Sequence, residues 1–227
     1  MRVRGVRLTV LEPVNYYYQP SGRGNRTSPF IGDIALKYAM LHQLGVGEAP
    51  EPGKFVPNYS ELREYSFWFS VAVPGYLAGM DSSYTEFFKQ ITRNTMQGID
   101  YNGSNQHPLI KVGGIMYKNF YFQQPMKPGN RFYALILDDG RWELPNVLRV
   151  GTGKTGMLKV EEIEPEKMRC YLNLYTLTKI LSVKREALKG REFSYSEHAV
   201  IQYFVVGPVT VEEFRDLYSE GVSWHAS

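Results

Sequence analysis

Close to the start of the chain, Val6, Leu8 and Val10 alternate with Arg7 and Thr9, the period-two pattern of a strand buried on one face and wet on the other. The chain therefore opens with a β-strand that needs a core beneath it. Segment 16–28 holds Pro20, Gly22, Gly24 and Asn25 and reads as a loop carrying Arg23 and Arg26. Ser28 and Pro29 then read as a cap and a first-turn proline, after which Ile31, Ile34, Ala35, Tyr38 and Leu41 recur at helical spacing until Gly45. Strand followed by helix is the first expectation.

Gly and Pro mark 45–57 as loop, and the aromatic, β-branched run from Tyr65 to Val73 reads as a second strand ending at Pro74-Gly75. Residues 81–96 place Tyr84, Phe87, Phe88 and Ile91 on one helical face. Leu109–Phe122 and Arg131–Leu137 read as strands around a Pro128-Gly129 turn, including a protruding hairpin. Asn146–Val150 and Met157–Ile163 are expected as short strands on either side of a glycine-rich loop. Further on, Leu174–Leu188 is expected to be helical, Val200–Val206 a strand buried on both faces, and Glu212–Tyr218 a closing helix.

At 227 residues, 43% hydrophobic and 22% charged, the chain can bury one real core, with room for one large excursion. The single cysteine, Cys170, excludes an internal disulfide and a clustered thiolate site, and fits a reducing cytoplasm. Met1–Val10 lacks the apolar stretch of a signal peptide or membrane helix. We expect a cytoplasmic protein with no membrane partner.

A net charge of +3 says little, but its distribution says more. Asn102 to Leu137 contains no acid, yet holds Lys111, Lys118, Lys127 and Arg131 among Tyr117, Phe120, Tyr121, Phe122, Phe132 and Tyr133. Cations for phosphates and rings for bases are what a single-stranded nucleic-acid groove requires, although core aromatics and solvated lysines give the same pattern. Arg2, Arg4, Arg7, Arg23 and Arg26 face one acid, Glu12, before Asp33, whereas Glu161, Glu162, Glu164 and Glu166 cluster later. A basic face and an acidic face follow.

Gly151-Thr152-Gly153-Lys154-Thr155-Gly156 is the strongest local motif. It is not a phosphate-binding P-loop, because Leu148 stands where the leading glycine is required and a strand, not a helix, follows. A basic glycine turn between strands remains, whose bare backbone can approach a phosphate. His42, His107, His198 and His225 are scattered without ligand spacing, and neither a nucleophile elbow nor a dinucleotide fingerprint occurs. No metal, no cofactor and no catalytic residue is expected.

Val14-Asn15-Tyr16-Tyr17-Tyr18, the string from Ser28 to Ala39, and Val147–Gly151 with Lys154 and Met157–Val160 resemble the Cas-five-type subunit of type I-D Cascade, a CRISPR-associated RAMP-superfamily protein. The resemblance implies an α+β fold: a single domain over 1–227 with a ferredoxin-like, RRM-related RAMP core, a Gly-rich loop and a β-hairpin thumb inserted within about 76–130. It implies a non-catalytic subunit that holds the 5′ handle of the crRNA and contacts the large subunit and the first backbone subunit in antiviral defence. Target DNA beside the protospacer-adjacent motif is a further contact to test.

Expected RNA contacts are Arg23 and Arg26 in the first loop, Lys111, Tyr117 and Lys118 in the hairpin region, and Arg149, Gly151, Thr152, Gly153 and Lys154 around the glycine loop. Lys37, on an expected exposed helix face, is added as a weaker contact. Some members of the superfamily cut precursor crRNA, so a metal-independent ribonuclease using His42 and Lys37 is the alternative. A protein-only scaffold is the third.

Overall fold

A computed structural model describes residues 1–14, 19–21, 24–26, 30–46, 59–80, 91–94, 120–151, 154–193 and 205–221. The opening strand β1 (Arg2–Glu12) lies at the centre of the main sheet, where Arg4, Val6, Leu8 and Val10 are buried on one side and Arg7 and Thr9 stay half-exposed on the other. Other named strands are β2 (Gln19–Ser21), β3 (Gly24–Arg26), β4 (Phe67–Phe69), β5 (Val73–Pro74), β6 (Ile91–Asn94), β7 (Phe120–Gln124), β8 (Arg131–Asp138), β9 (Val147–Val150) and β10 (Gly156–Ile163). The main sheet runs β4-β8-β1-β10-β9, with β5 also on β8, and every pairing in it is antiparallel.

Helix α1 (Asp33–Gln43) packs against both β4 and β9, which lie at opposite edges, so the sheet curls around it. Strand β8 is buried on both faces after Arg131, because β11 (Cys170–Asn173) and α3 (Val211–Gly221) also pack on it. β11 belongs to a second sheet, β11-β13-β12, with β12 (Glu192–Phe193) and β13 (Val205–Val209). The short helix α2 (Gly75–Ala78) follows β5. A third sheet, β2-β3-β7-β6, sets β3 parallel to β7. Among the described residues no helix is long and apolar enough to cross a membrane.

Buried polar groups join these layers. Asp33, in the first turn of α1, accepts hydrogen bonds from Asn173 Nδ2 (2.9 Å) and Thr176 Oγ1 (2.5 Å) and is fully enclosed, so burial raises its pKa against those two bonds. One turn on, Lys37 Nζ donates to the carbonyls of Tyr65 (2.7 Å) and Phe67 (2.5 Å) and lies 3.7 Å from the Trp68 ring centroid. Burial pushes its pKa well below the usual lysine value, and the Asp33 charge opposes this. The expected exposed face for Lys37 is corrected: with 0% exposure it cannot reach an RNA phosphate and instead ties α1 to the segment entering β4. Beside Phe67, with which Asp138 is in register, Arg4 donates to Asp138 through Nε (2.8 Å) and Nη2 (2.5 Å), and to the Trp142 carbonyl (3.0 Å).

Other sequence expectations shift for tertiary reasons. Helix α1 begins at Asp33, not at Pro29, because Ile31 is taken up in a bridge to Ala72. The run Tyr65–Val73 is not one strand: β4 and β5 both pair with β8, while Val71 turns away to bridge Tyr171. Ile91–Asn94, expected as helix, is strand β6, its β-branched residues paired with β7; 81–90 and 95–96 lie outside the described residues. The Pro128-Gly129 turn exists, with Gly129 at φ +90°, but β7 and β8 belong to different sheets and form no hairpin. Leu174–Leu188 is broken into a π-helical turn, Thr176–Ile180, and a 3₁₀ turn, Arg185–Leu188, separated by Ser182 at φ +61°.

Strands β1, β9 and β10 and helix α3 match expectation closely. Of the expected strand Val200–Val206, only Val205 and Val206 fall within the described residues, and both are buried in β13.

Removing one partner of the Arg4–Asp138 pair strands a buried charge. Asp138→Ala is expected to lower the unfolding free energy by about 3–5 kcal/mol in urea titration, while Arg4→Met with Asp138→Leu together loses less than either single change. A single-mutant loss no larger than that of an exposed pair contradicts the assignment.

Candidate nucleic-acid interface

The face of the main sheet opposite Val6, Leu8 and Val10 is open at the end where β9 and β10 meet. Cross-strand register sets Arg131, Thr9, Lys159 and Val147 in one row across β8, β1, β10 and β9. The next residues on the same face are Tyr133, Arg7 and Glu161 in one direction, and Met157 with Arg149 in the other. Adjacent strands lie about 4.8 Å apart, so Arg131 and Lys159 are two strand spacings from each other. Four cations thus share one sheet face.

Their environments differ. Glu161 receives Arg7 (Nη2 3.2 Å) and Lys159 (3.0 Å), and those two cations hold its carboxyl below the usual range. Arg131 and Arg149 are exposed and pair with no carboxylate among the described residues. Tyr133 is nearly enclosed, and after the Glu161 carboxylate, the main cause of the raised Arg7 pKa, it adds a smaller contribution, so it steadies that guanidinium instead of offering an open ring.

The glycine loop joins β9 to β10 at the edge of this face. Gly151 (φ +83°) and Lys154 (φ +53°) both adopt left-handed backbone, closed by a hydrogen bond from Lys154 N–H to the Gly151 carbonyl (3.0 Å). Only glycine does this without strain, yet position 154 keeps an exposed lysine. Gly156 is needed for another reason: a Cβ there lies 2.7 Å from Val14 Cγ2 and 2.9 Å from the Val150 carbonyl. Val14 in turn bridges Met126, just past β7. The root of the third sheet therefore meets the base of the loop.

Of the expected contacts, Arg149, Gly151 and Lys154 are brought together. Arg26 lies in β3 in register with Gln124 of β7, so the arginine loop and the acid-free stretch share one sheet. Arg23, Lys111, Tyr117, Lys118, Thr152 and Gly153 fall outside the described residues. Lys37 is remote in kind, being sealed in the core.

Sequence reasoning passed over Arg131, Lys159 and Arg7 as contacts. The available signal was alternation: in Gly156–Ile163 the buried positions Leu158 and Val160 alternate with Met157, Lys159 and Glu161. His42 is exposed near the end of α1. Cys170 is enclosed, burial pushes its thiol up, and Sγ contacts the Val209 carbonyl at 3.6 Å, a core role. Among the described residues no group of three or more His, Cys, Asp or Glu could hold a metal ion.

Two substitutions separate shape from charge. Gly156→Ala is expected to cost about 1–3 kcal/mol in thermal or urea unfolding, because Val14 and the β9 backbone must move. Lys154→Gly removes left-handed strain and is expected to change stability by no more than about 1 kcal/mol, and single-stranded RNA titration of the same variant tests whether the loop lysine is an RNA contact, weaker binding being the expected outcome. Unchanged RNA binding in Lys154→Gly removes the loop lysine from the interface.

A family model for the type I-D CRISPR-associated protein Cas5/Csc1 matches residues 1–207. No curated protein matches the chain. Among solved structures, a chain of the cryo-EM structure of the Type III-B Cmr-beta bound to cognate target RNA and AMPPnP is similar at 11% identity with a TM-score of 0.39. That likeness covers 70% of this chain and 63% of the other, so the chain spans less than two thirds of its length. The family match takes in β1, α1, the open sheet face and the glycine loop alike, and the protein belongs to the type I-D CRISPR-associated Cas5/Csc1 family.

Proposed function

We propose that this chain is a non-catalytic, cytoplasmic subunit of a type I-D CRISPR surveillance complex, binding the 5′ handle of the crRNA and capping the backbone beside the large subunit and the first backbone subunit. The observation that carries the reading is the convergence of Arg131, Arg149 and Lys154 on one open sheet end beside a glycine loop. Cations at strand spacing suit successive phosphates, and bare backbone at Gly151 allows close approach.

Strand order supports a ferredoxin-like core. β1, α1 and β4 form a split β-α-β unit with β8 inserted, and β10 lies on the far side of β1. Where such a core has a second helix, residues 139–146 lead instead into β9, which builds the loop. An RRM-related core also leaves one sheet face open for RNA. The antiparallel pair β6–β7 lies inside the proposed thumb, about 76–130.

Against the ribonuclease alternative stands the burial of Lys37, which leaves His42 without the charge stabiliser that reading required. Incubation with repeat RNA is expected to give no cleavage.

The binding test is direct. Replacing Arg131, Arg149 and Lys154 together by Gln is expected to weaken handle RNA binding about tenfold or more and to lower the salt slope by about 2, at roughly 0.7 per single-strand phosphate. Equal binding by wild type and variant rejects this face as the grip.

A further inference from the structure

A carboxylate stands among the cations of the open sheet face, and it is held from two sides. Glu161 on β10 is in register with Arg7 of β1 and lies two residues, about 7 Å, along its strand from Lys159. The Arg7 fork meets it with Nε donating to Oε2 at 3.3 Å and Nη2 lying 3.2 Å from Oε1, and Lys159 Nζ donates to Oε1 at 3.0 Å. Glu12, exposed and in register with Met157, is the other acid of these rows and engages no cation among the described residues.

An acid here works against a phosphate grip, because a phosphate on Arg7 or Lys159 must compete with it, and an exposed ion pair adds little to stability. Its geometry leaves it a different chemistry. A carboxylate offers about four acceptor directions, two on each oxygen. Oε1 meets two cations and Oε2 one, so one direction on Oε2 stays open among the described residues. Arg7 and Lys159 also hold the carboxyl below its usual range, so at neutral pH it accepts hydrogen bonds and does not donate them. Its side chain is 29% exposed.

The face closes just beyond this row. Gly5 lies two residues before Arg7 on the same side of β1, and the Met168 sulfur stands 2.8 Å from where a Gly5 Cβ would be. The Arg7–Glu161 row is therefore the wall at which the open surface ends. A single strand whose phosphates lie on Arg131, Arg149 and Lys154 meets that wall with the edges of its bases. We infer that Glu161 reads a base on this face, its carboxylate accepting a hydrogen bond from the exocyclic amine of one unpaired adenine, cytosine or guanine. Uracil is disfavoured, because its one edge N–H is flanked by carbonyl oxygens that a carboxylate repels. The inference rests on the handle-binding reading of the same face and gives that grip a sequence preference.

Handle RNA, and handle RNAs in which each amino-bearing base is replaced by uridine one position at a time, are titrated against the full chain, Glu161→Gln and Glu161→Asp. Wild type is expected to lose about tenfold in affinity at one position, the scale of one hydrogen bond to a charged group. Glu161→Gln, whose amide can also donate, is expected to bind that uridine-substituted RNA more tightly than wild type does and to keep less than about twofold discrimination. Glu161→Asp keeps the charge but withdraws it by one methylene, and is expected to lose the discrimination without the gain. Thermal unfolding of both variants stays near wild type. A uniform rise in affinity for every RNA in Glu161→Gln makes the carboxylate a partner of Arg7 and Lys159 alone and overturns the inference. The variant Arg131→Gln, Arg149→Gln, Lys154→Gln separates the two readings. If it binds every RNA as wild type does, the handle-binding reading fails and this inference with it; if it binds weakly while wild type tolerates uridine at every position, this inference alone fails.

Discussion

The structure depends on the register of β1 between β8 and β10. Val6, Leu8 and Val10 must point inward together, and a one-residue slip would drive Arg7 and Thr9 into the core while exposing all three apolar side chains. Two further features pin that register. Gly5 admits the backbone of Ile163 and the Met168 sulfur to within 2.8 Å of where a Cβ would stand, and Arg4 reaches diagonally to Asp138 on the neighbouring strand. The same alternation that buries one face leaves Thr9 and Arg7 on the other, beside Arg131 and Lys159. Core and candidate interface are two sides of one strand pairing.

The glycine loop depends on the same frame. β9 and β10 pair from Val150 with Gly156 through Val147 with Lys159, and Gly156 fits only because it lacks a side chain against Val14, two residues past β1. Lys154 is held in left-handed backbone, a conformation that disfavours it. The bridge from Val14 to Met126 ties the segment just past β7 to the same point, and β7 pairs with β3, which carries Arg26.

Legibility in the sequence followed locality. β1, β9, β10 and α3 were readable because their periodicity sits within one short window and their neighbours do not contest it. Tyr65–Val73 was misread because its apolar run serves two partners, β8 and Tyr171, and no local pattern encodes that division. Lys37 was misread for a similar reason: a lysine on a helix is ordinarily solvated, and only the fold places two carbonyls and two rings around it. The glycine loop was visible as a motif, whereas Arg131 and Lys159 became partners of Arg149 only through cross-strand register. The family was legible in the strings around Ser28–Ala39, which runs into α1, and Val147–Val160, which builds β9, its loop and most of β10.

The central claim is that the open end of the main sheet, with its glycine loop, holds the crRNA handle. Photocrosslinking of a handle carrying reactive bases in the assembled complex, followed by peptide mapping, tests it most directly. Adducts on the peptides containing Arg131–Tyr133 and Arg149–Lys159 are the result the account requires. Adducts confined to other surfaces of this chain, or to neighbouring subunits alone, would contradict it.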